Sequence, residues 1–242
     1  AEETSGIKEI FQKNLPEYNF NEMGFREKLL LYKAYLWYSF LTQNFLSSYR
    51  YSLKWIDLFN ENPHMVSLHP VSYLKGNHYL LESLFYLNHV EIFEKVLLDL
   101  EATIKDPKIP DDDNIAALSF LYIYSNKLNL RFMKGDFSSG ELLVDKIQKK
   151  IKKYDDRLDS HHIMVFYYKI ASLYFGNGEN KKCIEFLNKI INNNSLEMRE
   201  DLMCFSRILN LVAHYEAGLD YHLERLIRST YKFLIRMNDL HE

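Results

Sequence analysis

YYKIASLYFGNGENKKCIEFLNKII, residues 167–191, decides the fold. Its apolar residues recur at intervals of three and four, as in Ile184, Leu187, Ile190 and Ile191, which is the spacing of one face of an α-helix. Asn177-Gly178-Glu179-Asn180 breaks the run with turn-forming residues, so the segment reads as two helices joined by a sharp reversal. Phe175 stands three residues before Gly178, and Ala171 seven before it.

The same frame recurs in both directions. Lys134-Gly135-Asp136-Phe137 and Ala217-Gly218-Leu219-Asp220 are turns of the same form, with Phe132 and Tyr215 three residues before the glycine and Leu128 and Leu211 seven before it. Anchored on Gln43 and Asn88, which lack the glycine, it places Phe40 and Phe85, then Leu36 and Leu81, at the equivalent positions. Self-similarity of this kind marks a repeat architecture, in which each helical hairpin buries its apolar face only against its neighbours.

Elsewhere the pattern is also helical. Leu29, Tyr32, Leu36 and Phe40 repeat the spacing, and Pro16, Pro63, Pro70, Pro107 and Pro110 all fall between periodic runs, where they end helices without kinking them. Asp111, Asp112 and Asp113, then Asp159 and Ser160, then Ser195, precede such runs and place oxygen acceptors at helix starts. No four-to-eight-residue alternation of β-branched residues interrupts them. The sequence predicts ten helices after a short N-terminal one.

Segment 167–191 resembles a tetratricopeptide (TPR) unit: aromatic Tyr167 and Tyr168 open the first helix, followed by Ile170-Ala171, Tyr174, Gly178-Glu179 at the turn and small Cys183 at the helix crossing. Segment 124–147 is similar, with Gly135, Asp136, Phe137 and small Gly140. In two ways the chain departs from the family: its anchors lie 45, 47, 43 and 40 residues apart, longer than the roughly 34 of a regular TPR, and Phe93 and Leu223 replace the small crossing residue. The last stretch, from Arg207 to Arg236, has the texture of TPR-like proteins of Bacteroidetes-type bacteria. The resemblance implies an all-α fold, a right-handed α/α solenoid of about five TPR-like hairpins with lengthened helices. The hairpins span 25–60, 70–104, 113–153, 160–193 and 196–237 of one repeat domain, and a start at Ala1 in place of Met predicts that this domain is excised from a longer chain.

Composition narrows the function. With 47% hydrophobic and 26% charged residues the chain is globular, and a net charge of -3 gives no overall basic footprint for nucleic acid. Two cysteines, Cys183 and Cys204, both inside apolar helical patterns, read as reduced thiols and point to the cytoplasm. No apolar run is long enough to span a membrane.

The TPR resemblance implies that the first helix of each hairpin lines a concave binding surface at thirteen, ten and six residues before the turn. On this mapping Lys33, Trp37, His78, Glu82, Asn129, Tyr168 and Ser172 form a mixed polar and aromatic surface for a protein or peptide partner. Ser125, Val165 and Ser172 stand where a clamp for a peptide carboxylate would want basic or amide groups, so that clamp is not expected. In the last hairpin the same mapping gives an apolar strip, Phe205, Ile208 and Val212, which predicts either packing under the final helix or self-association as a symmetric homodimer.

Other constellations read as structural. His161 and His162 follow Asp155, Asp156 and Asp159, but adjacent helical residues diverge by about 100°, so a capped helix start is preferred over a metal site. His214 and His222 straddle the last turn without an obvious third ligand. Lys146, Lys149, Lys150 and Lys153 share one helix face, and Arg225, Arg228, Lys232 and Arg236 another; both read as the wet side of an amphipathic helix. No phosphate loop, HExxH or GxSxG occurs, and no cofactor and no enzyme activity are expected. The alternative to a binding scaffold is the peptide-sensing half of a bacterial regulator whose DNA-binding domain lies outside this segment. A metal-dependent enzyme ranks third.

Overall fold

The computed structural model describes residues 2–193 and 200–239. Among them are twelve α-helices and no strand: α1 (Glu2–Asn14), α2 (Phe25–Leu41), α3 (Phe45–Glu61), α4 (His64–Leu68), α5 (Pro70–Tyr86), α6 (Val90–Ile104), α7 (Asp113–Lys134), α8 (Glu141–Lys153), α9 (Ser160–Gly176), α10 (Asn180–Ile191), α11 (Glu200–Glu216) and α12 (Asp220–Asp239). The helix not foreseen is α4, a short turn between Pro63 at its N-cap and Pro70 at the first position of α5. A proline ring fits there because the first helical N–H has no partner to lose.

The aspartate caps form as their chemistry dictates. Asp112 Oδ1 accepts from the amides of Asn114 and Ile115 at 2.8 and 3.0 Å, opening α7. Asp159 does the same for His162 at 2.8 Å, opening α9. Ser195, the expected cap of the helix after α10, lies outside the described residues.

Each of the five anchor positions adopts a left-handed backbone. Gly135, Gly178 and Gly218 have φ of 64°, 75° and 69°, and Gln43 and Asn88, which lack the glycine, have 53° and 55°. The hydrogen bonds explain why. At Gln43 the amide reaches Phe40 O at 3.0 Å, and the next amide, Asn44, reaches back to Ser39 O at 2.8 Å. Asn88 and His89 bond to Phe85 O and Leu84 O, Gly178 and Glu179 to Phe175 O and Tyr174 O, and Gly218 and Leu219 to Tyr215 O and His214 O. This paired closure satisfies the last carbonyls of a helix, and it requires one residue at positive φ. Glycine enters that region at no steric cost, asparagine tolerates it, and glutamine is strained there.

Two compact units follow one another, Ala1–Met133 and Lys134–Glu242, with the boundary at the end of α7. In the first, α3 packs on α2 and α5, and α5 on α6. Leu36, Leu81 and Leu128, seven residues before their turns, are all buried, as are Trp55, Phe59, Leu74 and Leu84. Gly76 lets α5 approach α3: a Cβ there would stand 2.7 Å from Trp55 Nε1 and 2.9 Å from Ile56 Cδ1.

In the second unit α10 packs on α9 and on α11, and α11 on α12. Its core holds Phe166, Ile170, Ala171, Leu173, Phe186, Leu187 and Ile190, with Cys183 as the small residue at the crossing. Both cysteines are free thiols, and burial pushes that of Cys183 up to about 12. Gly140 and Gly176 admit Leu173 and the Phe137 ring respectively. The sequence frame weakens at the last turn, since Leu211 is half-buried and Tyr215 exposed while Leu202, Ser206, Asn210 and Ala213 turn inward.

Two substitutions separate backbone from packing. At Gly178 a Cβ meets nothing within 4 Å, so Gly178→Ala should lose about 1–2 kcal/mol through the left-handed backbone alone. Gln43→Gly removes the same strain and should stabilise, by at most about 1 kcal/mol once the freer unfolded chain is counted. Gly76→Ala should lose about 1–3 kcal/mol through overpacking against Trp55. Urea unfolding of the three variants checks all three signs, and a neutral Gly178→Ala contradicts the turn geometry.

Candidate functional site

A row of aromatic and amide side chains crosses the N-terminal unit from α2 through α5 to α7. It begins at Trp37, on the same face of α2 as exposed Lys33, one turn earlier. The Trp37 indole is 46% exposed and meets Tyr79 edge-on, 5.5 Å between ring centroids. Tyr79 is the hub of the row: Phe40 and Trp55 lie 5.9 and 6.0 Å from it, and His78 5.6 Å. His78 in turn stacks on Tyr122 of α7, 4.5 Å away and within 17° of parallel.

Beyond the imidazole the row becomes a polar network. Asn126 is fully buried, and its Nδ2 donates to Tyr122 O at 2.8 Å and contacts His78 Nδ1 at 3.3 Å, while its Oδ1 accepts from Asn129 Nδ2 at 3.3 Å. The Tyr122 carbonyl can only accept, so it fixes which end of the Asn126 amide is nitrogen. An amide N–H then faces His78 Nδ1, which makes Nδ1 an acceptor and places the imidazole proton on Nε2.

Burial raises the Tyr79 phenol above its ordinary value, and the nearby Glu82 carboxylate adds to the shift. Burial, with a contribution from Tyr79, pushes Tyr122 up to about 12. Both phenols are therefore neutral near physiological pH and are fitted to donate hydrogen bonds or to stack.

An open apolar groove of about 530 Å³ adjoins the row between α1 and α2, lined by Ile7, Ile10, Phe11, Trp37, Tyr38 and Leu41 among others. Phe11 of α1 stacks on Tyr38 at 4.5 Å and meets Tyr35 at 5.2 Å. Trp37 thus serves two features, lining the groove and meeting the Tyr79 ring.

The structure sorts the sequence-mapped residues. Trp37, His78 and Asn129 belong to one connected row, Glu82 acts on Tyr79, and Lys33 flanks Trp37. Asn129 differs from expectation: with Tyr122 and Ser125 it is buried, and its amide serves Asn126 in place of an open surface. Tyr168 and Ser172 belong to the C-terminal unit, where Ser172 Oγ donates to Tyr168 O at 2.9 Å and Tyr168 is half-buried, its phenol raised by burial. Tyr79 and Asn126 were missed, because the TPR mapping steps over them, and α1, the expected N-terminal helix, was left out of the site because that mapping begins at α2. The spacing Ile7, Ile10, Phe11 was the available signal for α1.

His162 Nδ1 lies 2.7 Å from Asp159 Oδ1. Burial works to raise the Asp159 carboxyl, but the His162 amide and ring outweigh it and hold it below its ordinary value. His214 Nδ1 lies 2.8 Å from Asn210 O on its own helix, and the His222 side chain lies outside the described residues. Among the described residues no three His, Cys, Asp or Glu side chains converge as metal ligands, and no helix is long and apolar enough to cross a membrane. Lys146, Lys149 and Lys153 are exposed opposite buried Val144, Ile147 and Ile151. Between α8 and α10, Lys182 is held by Glu141 and Glu179 at 2.6 Å each.

The two tryptophans report directly on the row. Trp55 is 2% exposed and Trp37 46%, so iodide should quench about half of the indole fluorescence and leave the rest. Trp37→Phe should remove the quenchable fraction, and equal quenching of both indoles would contradict the placement of Trp37.

No protein-family model matches the chain, and neither a curated protein nor a solved structure resembles it significantly.

Proposed function

We propose that the chain is a binding scaffold of TPR-like α/α hairpins that holds an extended protein or peptide segment on its N-terminal unit. The observation that carries this reading is the continuity of the site: exposed Trp37 joins the apolar α1–α2 groove to Tyr79, His78 and Tyr122. A groove of that character takes an apolar anchor side chain, and exposed Trp37 with half-buried Tyr79 and His78 beside it offers rings for stacking. Rigid aromatic side chains lose little conformational entropy when they pin a partner, and interfaces rely on them for that reason.

The reading as repeats is supported by the shared turn, since residues at five corresponding positions of the sequence adopt the same left-handed backbone whether or not they are glycine. Binding is favoured over catalysis by the groove lining, Ile7, Ile10, Phe11, Trp37, Tyr38 and Leu41 among others, which holds no carboxylate, imidazole, thiol or amine to act as acid, base or nucleophile.

Capture of partners from the source cell, followed by titration of each purified partner, tests the proposal. Trp37→Ala should weaken the true partner by at least about tenfold while the thermal unfolding midpoint stays in place. Trp37→Ala combined with Tyr168→Ala should keep the helical circular dichroism as well. A partner that binds the Trp37→Ala chain as tightly as the wild type overturns the assignment of this face.

A further inference from the structure

The last helix carries a second surface, independent of the Trp37 row. α12 packs on α11 by one side, along which Thr230 is buried and Leu223, Leu226 and Phe233 are half-buried. Ile227, Tyr231 and Ile235 follow one another at single-turn intervals and are 50, 65 and 42% exposed. Arg228, Lys232 and Arg236 each come one residue later, about 100° further round the helix, and all three are exposed, as is Arg225. The open side of α12 is therefore divided lengthwise into an apolar row and a basic row. Glu224, at the N-terminal end of the apolar row, accepts from Arg228 at 2.5 Å, and the Arg236 guanidinium lies 5.4 Å from the Phe233 ring.

The neighbouring strip on α11 is open as well: Phe205, Ile208 and Val212 are 57, 43 and 39% exposed. The expectation that the final helix covers this strip is thereby corrected, because the inward face of α11 is the one bearing Leu202, Ser206, Asn210 and Ala213.

What fits the α12 face follows from the preceding hairpin. Gly178 and Gly218 occupy the same turn position 40 residues apart, which sets Ile227 and Tyr231 on Leu187 and Ile191 of α10. Leu187 is fully buried, and α10 has packing helices on two sides, α9 and α11. On α12 the counterparts, Ile227 and Tyr231, are exposed among the described residues, whereas Ile191 on α10 is half-buried. The surface is thus shaped for one more helix, and its charge selects which. A second copy joined by antiparallel pairing of two α12 rows sets both basic flanks on the same rim, where like charges oppose each other. A bilayer-lying helix needs its whole apolar face free, whereas α12 has one side committed to α11.

We infer that this face docks an amphipathic helix of a partner protein, with an apolar ridge laid along Ile227, Tyr231 and Ile235 and acidic residues on the flank facing Arg225, Lys232 and Arg236. The apolar row supplies burial, and the basic row fixes orientation and rejects basic helices.

Two synthetic helical peptides with an identical leucine ridge, one flanked by glutamate and the other by lysine, test this by fluorescence anisotropy against the 242-residue chain. At low salt the glutamate peptide should bind at least about tenfold more tightly than the lysine peptide. Arg225→Glu combined with Lys232→Glu should reverse that preference, and Ile227→Asp should abolish binding of both peptides. These positions are exposed, and an unchanged melting temperature shows that the variants fold. Equal binding of the two peptides, or binding of neither, overturns the inference. So does a wild-type dimer in sedimentation that Ile227→Asp dissociates, which assigns the face to a second copy, or Ile227-dependent uptake on phosphatidylglycerol vesicles, which assigns it to a membrane. None of these outcomes depends on the Trp37 row.

Discussion

One backbone requirement underlies the rest: a helix that stops and reverses within three residues must satisfy its last carbonyls. Here that is achieved by bonds from two successive amides back over the helix end, with the first of the two residues in the left-handed region. Because the closure is the same at each turn where these bonds are described, it fixes the phase of the preceding helix. The residue seven before the turn points into the core at Leu36, Leu81, Leu128 and Ala171. At the last turn the closure persists while Leu211 is only half-buried, so the turn is set by the backbone and the packing follows where neighbours exist.

That phase also positions the candidate site. Burying Leu36 and Leu81 leaves Trp37, His78 and Glu82, their near neighbours in sequence, on the flank of the core rather than within it. Tyr79 fills the gap between α2, α3 and α5, and its contacts tie an exposed indole to a half-buried imidazole and a buried amide network. The network is costly to disturb, since Asn126 spends both N–H groups and its carbonyl inside the unit. The row therefore combines a satisfied interior end with an accessible outer end.

Much of this was legible in the sequence, for identifiable reasons. Apolar spacing and proline placement marked the helices other than α4, and the aromatic and leucine frame located even the two turns without glycine, Gln43 and Asn88. Helix α4 was not legible, because a five-residue turn carries too few residues for a period to show. The site was read in part. Trp37 and His78 were found by counting back from the turns, but Asn129 was mapped to an open surface when it lies beneath one, since counting gives an angle on the helix and not what covers it. Tyr79 escaped because its importance comes from four ring contacts on three helices, and no spacing within α5 records them. The open rows of α12 show the converse: a basic stripe that looked like an ordinary wet face lies beside exposed Ile227, Tyr231 and Ile235, which only the packing reveals.

Backbone chemical shifts of the isotopically labelled chain test the central claim most directly, since carbon and amide shifts distinguish left-handed from helical and extended residues. The expected result is a left-handed signature at Gln43, Asn88, Gly135, Gly178 and Gly218, each preceded and followed by helical residues. Helical or extended shifts at Gln43 and Asn88 would contradict it, because the first two hairpins would then lack the closure that sets the phase of Leu36 and Leu81 and, through them, the position of the Trp37 row.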